Sequence, residues 1–241
     1  MNIYENRPIG DILRDNEYVG RGIVIGTSED GRYAACAYFI MGRSENSRNR
    51  IFVAENGTVR TEPFDAARVS DPSLIIYNAV LPCPVGSGLI VTNGDQTDTI
   101  YRGMKEGLDF RSALEKRAFE PDAPNFTPRI SGILHFDGGS FRYEMSILKS
   151  IDAEGSDCCR YHFAYPKKNG TGHFLHTYLC NGNPLPTFCG EPERIAVPND
   201  IDALCTAIWD NLNRENRISL YVRYTDLSDG TYTERLINRN R

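Results

Sequence analysis

An α+β fold, in which two groups of antiparallel strands pack together and helices cover the outside, is the class this sequence predicts. Short apolar, aromatic and β-branched runs recur along the chain, several of them separated by Asp-Gly, Asn-Gly or Gly-Gly turn signals. Two stretches, 97–117 and 199–212, switch to helical spacing between and after the strand groups. No internal repeat, low-complexity tract or linker interrupts the pattern, so the layers belong together.

Residues 20–26 (GRGIVIG) and 32–41 (RYAACAYFIM) flank Ser28-Glu29-Asp30-Gly31 and read as a hairpin. Residues 51–54 (IFVA), followed by Glu55-Asn56-Gly57-Thr58, repeat the strand-then-turn pattern. Strands follow at 74–81, bounded by Asp71-Pro72 and Pro82, and at 88–92, which enters Asn93-Gly94-Asp95. From Thr97 onward Ile100, Tyr101, Met104 and Leu108 lie at helical spacing, with Asp95 or Asp98 to cap the free N–H groups and Gly107 to end the run. A second helix starts near Asp109, carries Ala113, Leu114 and Arg117, and stops before Pro121. Strands return at 130–136, at 141–148 after Asp137-Gly138-Gly139, at 159–165 and at 173–179. A last helix begins at Asn199 or Asp200 and aligns Ile201, Leu204, Cys205, Ile208 and Leu212 in one apolar stripe, read as core. Strands at 218–224 and 232–237 close the chain around Ser228-Asp229-Gly230.

The 241 residues allow one large domain or two small ones, and 40% hydrophobic with 24% charged residues is ordinary for a globular chain. No apolar run has the roughly 18 residues of a spanning helix, and the start carries Glu5, Arg7, Asp11 and Arg14 without an apolar export segment. A cytoplasmic protein is expected. With 27 Lys+Arg against 32 Asp+Glu, the net charge of −5 opposes binding to nucleic acid or an anionic membrane. The seven cysteines include no C-x-x-C pair, which predicts free thiols in a reducing compartment and no zinc. His173 and His176 fall three apart on a strand and so face opposite ways, which argues against a metal site.

Four segments carry chemistry. Residues 42–50 (GRSENSRNR) join two strands and hold Arg43, Arg48 and Arg50, whose guanidinium forks suit phosphate or carboxylate oxygens; a solvated loop is the plainer alternative. Residues 92–99 (TNGDQTDT) lie where a strand passes into a helix, a junction that offers backbone N–H groups and amide side chains to a ligand, or simply caps the helix. Tyr77-Asn78 ends an apolar run with two polar groups on opposite faces of a strand. Thr127-Pro128-Arg129 places a cation at the start of the next one.

Taken in order, Gly20-Arg21-Gly22, Arg43-Ser44 with Asn49-Arg50, Asp71-Pro72 followed by Ile76-Tyr77-Asn78, Val91-Thr92-Asn93-Gly94 with Thr97-Asp98-Thr99-Ile100, and Thr127-Pro128-Arg129-Ile130 resemble the archaeal-type inosine monophosphate (IMP) cyclohydrolases. The chain looks like a longer, bacterial-style member, with the match running over 18–136. The resemblance implies a four-layer αββα sandwich of the N-terminal-nucleophile hydrolase type, with 1–17 as an extension and 18–241 as one domain. It implies ring closure of 5-formamidoimidazole-4-carboxamide ribonucleotide to IMP with loss of water, without metal or redox cofactor. On that reading Tyr77 is the general acid/base, and Arg50 stabilises the carbinolamine oxygen and lowers the tyrosine's pKa. Glu120 is the acidic partner, displaced by one residue from the archaeal spacing. Arg21, Arg43, Arg48 and Arg129, with Ser44, are candidates for the 5′-phosphate; Asn78, Asn93, Gly94, Thr97 and Asp98 are candidates for base and ribose.

The expected partner is a purine nucleotide, with a homo-oligomer open. Hydrolases of this fold class use an N-terminal Cys, Ser or Thr nucleophile, and Glu17-Tyr18-Val19 before the first strand offers none. Two rivals stand beside the cyclohydrolase: a silent purine-nucleotide-binding module, and an amidohydrolase using an internal thiol such as Cys83. Cys36, inside an apolar strand, is expected to be buried and structural.

Overall fold

Strand alternation and hairpin turns build two antiparallel sheets in this computed structural model, which describes residues 2, 4–69 and 76–240. The chain runs α1 (Ile9–Leu13), β1 (Arg21–Thr27), β2 (Tyr33–Met41), α2 (Glu45–Arg48), β3 (Arg50–Glu55), β4 (Thr58–Pro63), a 3₁₀ turn (Ala66–Arg68), β5 (Asn78–Pro82), β6 (Gly88–Thr92), α3 (Gln96–Lys105) and α4 (Phe110–Leu114). It continues with β7 (Arg129–Asp137), β8 (Ser140–Ser150), β9 (Cys158–Pro166), β10 (Thr171–His176), β11 (Glu193–Ala196), α5 (Ile201–Trp209), β12 (Arg217–Asp226) and β13 (Tyr232–Asn238). One sheet has the order β11-β10-β1-β2-β12-β13, and the other is the meander β3-β4-β5-β6-β7-β8-β9.

Side-chain alternation sorts the strands' residues between cores. On β2, Cys36, Tyr38 and Ile40 enter a core shared with Phe52, Val80, Val91 and Ile147 of the other sheet. The intervening Ala37, Phe39 and Met41 enter a second core beneath α1 and α5, where the stripe Ile201, Leu204, Cys205 and Ile208 packs. A third core holds Ile100, Phe110 and Leu114 of α3 and α4 against Ile90, Ile133 and Leu148. The two sheets thus share one apolar core, and helices pack on the far side of each. No helix among the described residues is long and apolar enough to cross a membrane.

Several sequence expectations need correction. The strand expected at 74–81 begins only at Asn78; Asp71-Pro72 and its first two residues lie outside the described residues. Asp95 precedes α3 but makes no capping bond, because its carboxylate turns to Arg117 and Arg129; Asp98 bonds Asn78 instead. Asp109 and Asp200 do cap α4 and α5, and Gly107 follows α3 with φ +87°. The α4 helix ends at Leu114, well before Pro121. The helices α1 and α2, the 3₁₀ turn and the strands β4 and β11 carry no sequence signal that predicts them. On β4 only Val59 and Thr61 point inward, while Arg60 bonds Glu62 on the open face at 2.6 Å. His173 and His176 do take opposite faces: His173 Nδ1 shares a hydrogen bond with the Tyr143 hydroxyl across the sheets at 2.6 Å, and His176 stacks on Phe174.

Candidate active site

The strand ends at one edge of the shared core bring together Arg21, Tyr38, Arg50, Tyr77 and Glu120. Arg21 opens β1 directly after Gly20, whose φ of +78° turns the chain where a Cβ would collide with Thr177 and Tyr178. Its Nε is buried without a hydrogen-bond partner among the described residues. Arg50 opens β3 with no exposed surface; Nε donates to the Ser47 carbonyl at 2.8 Å, Nη2 to the Met41 carbonyl at 3.4 Å, and Nη1 has no hydrogen-bond partner among the described residues. Orphaned buried guanidinium donors are costly, and an incoming anion or oxyanion would satisfy them.

Tyr77 lies just before β5, 6% exposed, with its hydroxyl 2.7 Å from that of the fully buried Tyr38. Burial pushes the Tyr77 pKa up; Arg50 and Arg21 pull it down without prevailing. The Arg50 influence therefore has the expected sign, but the phenol stays protonated at neutral pH. Burial and then Arg21 lower the pKa of Arg50, since two like charges share the site. Burial also opposes the Arg21 charge, but Glu120 with Tyr18, Tyr178 and Tyr77 outweighs it and the pKa rises. Glu120, 3% exposed, has its pKa raised by burial against the pull of Arg21 and Arg129. The group thus combines an excess of positive charge, a neutral phenol pair and a carboxyl with enhanced proton affinity.

A second shell of bonds fixes these side chains. Arg129, at the start of β7, contacts Asp95 at 2.8 Å, donates to Gln96 Oε1 at 2.8 Å and lies 3.9 Å from Glu120. Gly94 sits beside it: a Cβ there would fall 2.6 Å from Arg129 Nη1 and 3.5 Å from Glu120 Oε1. Glu120 N–H donates to the Thr127 carbonyl at 2.9 Å, and the Thr127 hydroxyl pairs with Asp122 and, at 2.6 Å, with Tyr178.

The family model described as "IMP cyclohydrolase-like protein" matches residues 18–230. The chain belongs to the IMP cyclohydrolase-like family. Its relatives include a Methanococcus aeolicus protein named IMP cyclohydrolase, 29% identical over 167 residues that cover 68% of this chain and 75% of the relative. Proteins of the same name from Methanopyrus kandleri (37% identical; 57% of this chain, 72% of the relative) and Methanosphaera stadtmanae (33%; 52% and 61%) are also similar.

The other candidates of this IMP cyclohydrolase-like chain divide by position. Arg43 lies over the Tyr18 ring at 5.1 Å, Tyr18 stacks on Tyr178 at 5.9 Å, and Arg43 Nη1 donates to Asn181 and Gly182, both at 2.7 Å. Ser44 is exposed and forms a capping box with Ser47 on α2, while Arg48 donates to Gly42 and Asn216. Asn93, Gly94 and Thr97 hold the strand-to-helix turn: Asn93 spans Pro128 and Ile130, and the Thr97 hydroxyl bonds Thr92 and Gly94. Asn78 and Asp98 meet at 2.9 Å in a separate cleft with Tyr101 and Cys83. Burial raises the Cys83 thiol to about 12, which makes it a poor thiolate nucleophile, and Cys36 is buried with its pKa also near 12.

Sequence reading missed Tyr38, Tyr18, Asp122 and Tyr178. Tyr38 on β2 and Tyr178 just past β10 sit in apolar contexts that read as plain core, and nothing local shows that their hydroxyls meet Tyr77 and Thr127.

Proposed function

We propose that the chain is an IMP cyclohydrolase that closes 5-formamidoimidazole-4-carboxamide ribonucleotide to IMP with loss of water, the last step of purine synthesis. The convergence of Arg21, Arg50, Tyr77 and Glu120 from both sheets, in a chain of this family, carries the reading. The carboxamide nitrogen must attack the formyl carbon of the same molecule, so binding first holds the two in near-attack geometry. The carbinolamine oxygen then gains negative charge, and Arg50 stabilises it. The departing water carries the formyl oxygen with one proton from the carboxamide nitrogen and one from the formamido nitrogen. Tyr77 delivers a proton to the leaving oxygen, and its oxygen recovers one from the ring nitrogen. Glu120, able to hold a proton more readily than an exposed carboxyl, is the second acid/base group.

On this reading Arg21 and Arg43 receive the phosphate, with Arg48 and Ser44 at the rim. Arg129 steadies Glu120, and Gly94 leaves room for the nucleotide against the turn built by Asn93 and Thr97. Asn78 and Asp98 are retained as contributors only through their hold on α3. The fold is proposed as the four-layer αββα sandwich of the N-terminal-nucleophile hydrolase type, with 18–241 as one domain and 1–17 as an extension. The protein works in the cytoplasm, on a free nucleotide rather than nucleic acid and without a cofactor, and its oligomeric state stays open. Incubation of the protein with the formamido ribonucleotide, followed by absorbance of the hypoxanthine ring, is expected to show enzyme-dependent closure. Tight binding without closure would replace the enzyme by a binding module.

A further inference from the structure

Tyr38 on β2 and Tyr77, just before β5 of the other sheet, meet hydroxyl to hydroxyl at 2.7 Å inside the protein. Two phenols in one bond share unequal roles, since only one donates. Tyr38 has no exposed surface, and its ring stacks on Phe52 at 5.4 Å. Among the described residues its hydroxyl has no hydrogen-bond partner besides Tyr77. The charged groups facing the pair are Arg21 from β1, Arg50 from β3 and Glu120 from the segment before β7. Arg50 and Arg21 are the leading influences that favour negative charge on Tyr77, whereas at Tyr38 they come last and the neighbouring phenol opposes ionisation. Either hydroxyl can donate in this bond, but Tyr38 has no exposed surface whereas Tyr77 keeps some, so a substrate that takes the Tyr77 proton leaves Tyr38 as the donor.

We infer that Tyr38 is a positioning residue for the ring closure, donating its O–H into the Tyr77 oxygen so that the Tyr77 proton points toward the substrate. The role rests on Tyr77 being the acid/base of the proposed reaction. When Tyr77 gives its proton to the departing oxygen, the O–H bond of Tyr77 breaks and the water O–H forms. The phenolate left behind is then held by the Tyr38 hydrogen bond and the Arg50 charge until the ring nitrogen returns a proton. Charge-assisted bonds of this kind are stronger than neutral ones, so the Tyr38 bond tightens as the reaction proceeds. A protein that used Tyr38 only as core would need its ring and not its hydroxyl.

The test is a double-mutant cycle of Tyr38→Phe and Tyr77→Phe, with kcat, KM and thermal unfolding measured for each variant. Tyr38→Phe keeps the ring on Phe52 and is expected to lower kcat by about 10- to 100-fold with little change in KM. In the Tyr77→Phe background the same change is expected to cost nothing further, because the bond it serves is gone. Equal loss in both backgrounds, or loss that tracks a fall in unfolding temperature, would reduce Tyr38 to a structural role. Wild-type kcat in Tyr38→Phe beside an impaired Tyr77→Phe would overturn the positioning role alone. Wild-type kcat in Tyr77→Phe would overturn the acid/base reading and the Tyr38 role with it.

Discussion

Gly94 shows how little a site tolerates at the scale of one residue. Its φ is not in the left-handed region, so the backbone would accept alanine. The obstacle is space: a Cβ would lie 2.6 Å from Arg129 Nη1 and 2.7 Å from Gln96 Oε1, so these two side-chain tips would have to move. Both belong to flexible side chains, which makes the change mild for stability and severe for placement of Arg129 and Glu120. Gly94→Ala is therefore expected to lower kcat/KM by about 10- to 100-fold, the cost of displacing catalytic groups by about 1 Å, with an unfolding temperature near that of the wild type. Steady-state kinetics and a thermal melt check both halves, and unchanged kinetics would remove Gly94 from the site. Arg21 and Arg50 make the complementary point, since each keeps a buried N–H without a partner among the described residues for an anion to satisfy.

Elements that bury one face and carry a turn signal were legible in the sequence. The β1–β2 hairpin, β6 to β10, α3, α5 and the β12–β13 pair follow the expected order with shifted ends. The missed elements lack a plain signal: α1 spends its apolar residues Ile9 and Leu13 inside a charged stretch, β4 alternates only Val59 and Thr61 with charged residues, and β11 is an edge strand paired only to β10 within its sheet. Most of the central candidates were legible because Arg, Tyr and Glu are conspicuous in motif order. Tyr38 and Tyr178 were not, because their partners lie across the sheet interface or far along the chain, and no local spacing encodes that meeting.

Cross-sheet ties of this kind also give strand pairs a pH dependence. His173 on β10 hydrogen-bonds the Tyr143 hydroxyl of β8, and burial with Arg194 nearby lowers its pKa from 6.5 to about 4. The unfolded histidine takes up a proton first, so this contribution is complete above pH 6.5 and fades as the pH falls toward 4. Denaturant unfolding over that range is expected to show stability dropping with acid, and a shallower slope in His173→Gln. Superimposable slopes would sever the link.

For the whole molecule, the net charge of −5 opposes a broad anion-binding surface but not a focused one. Arg21 and Arg50 are drawn from opposite sheets to one end of the shared core, with Tyr178 added from the C-terminal half. The family match over 18–230 likewise reaches beyond the first 136 residues, where the recognisable motifs end. A different cleft, at the far strand ends, is lined by Ser87, Arg223 and Ser228 and offers a second place for a small molecule. The central claim is that both sheets serve one nucleotide site, and a crystal structure with bound IMP tests it most directly. IMP is expected among Arg21, Arg50, Tyr77 and Glu120, with the ring atom that bore the departing oxygen facing the Tyr77 hydroxyl. IMP seated in the far cleft beside Arg223, with the Arg21 and Arg50 side chains untouched, would contradict it.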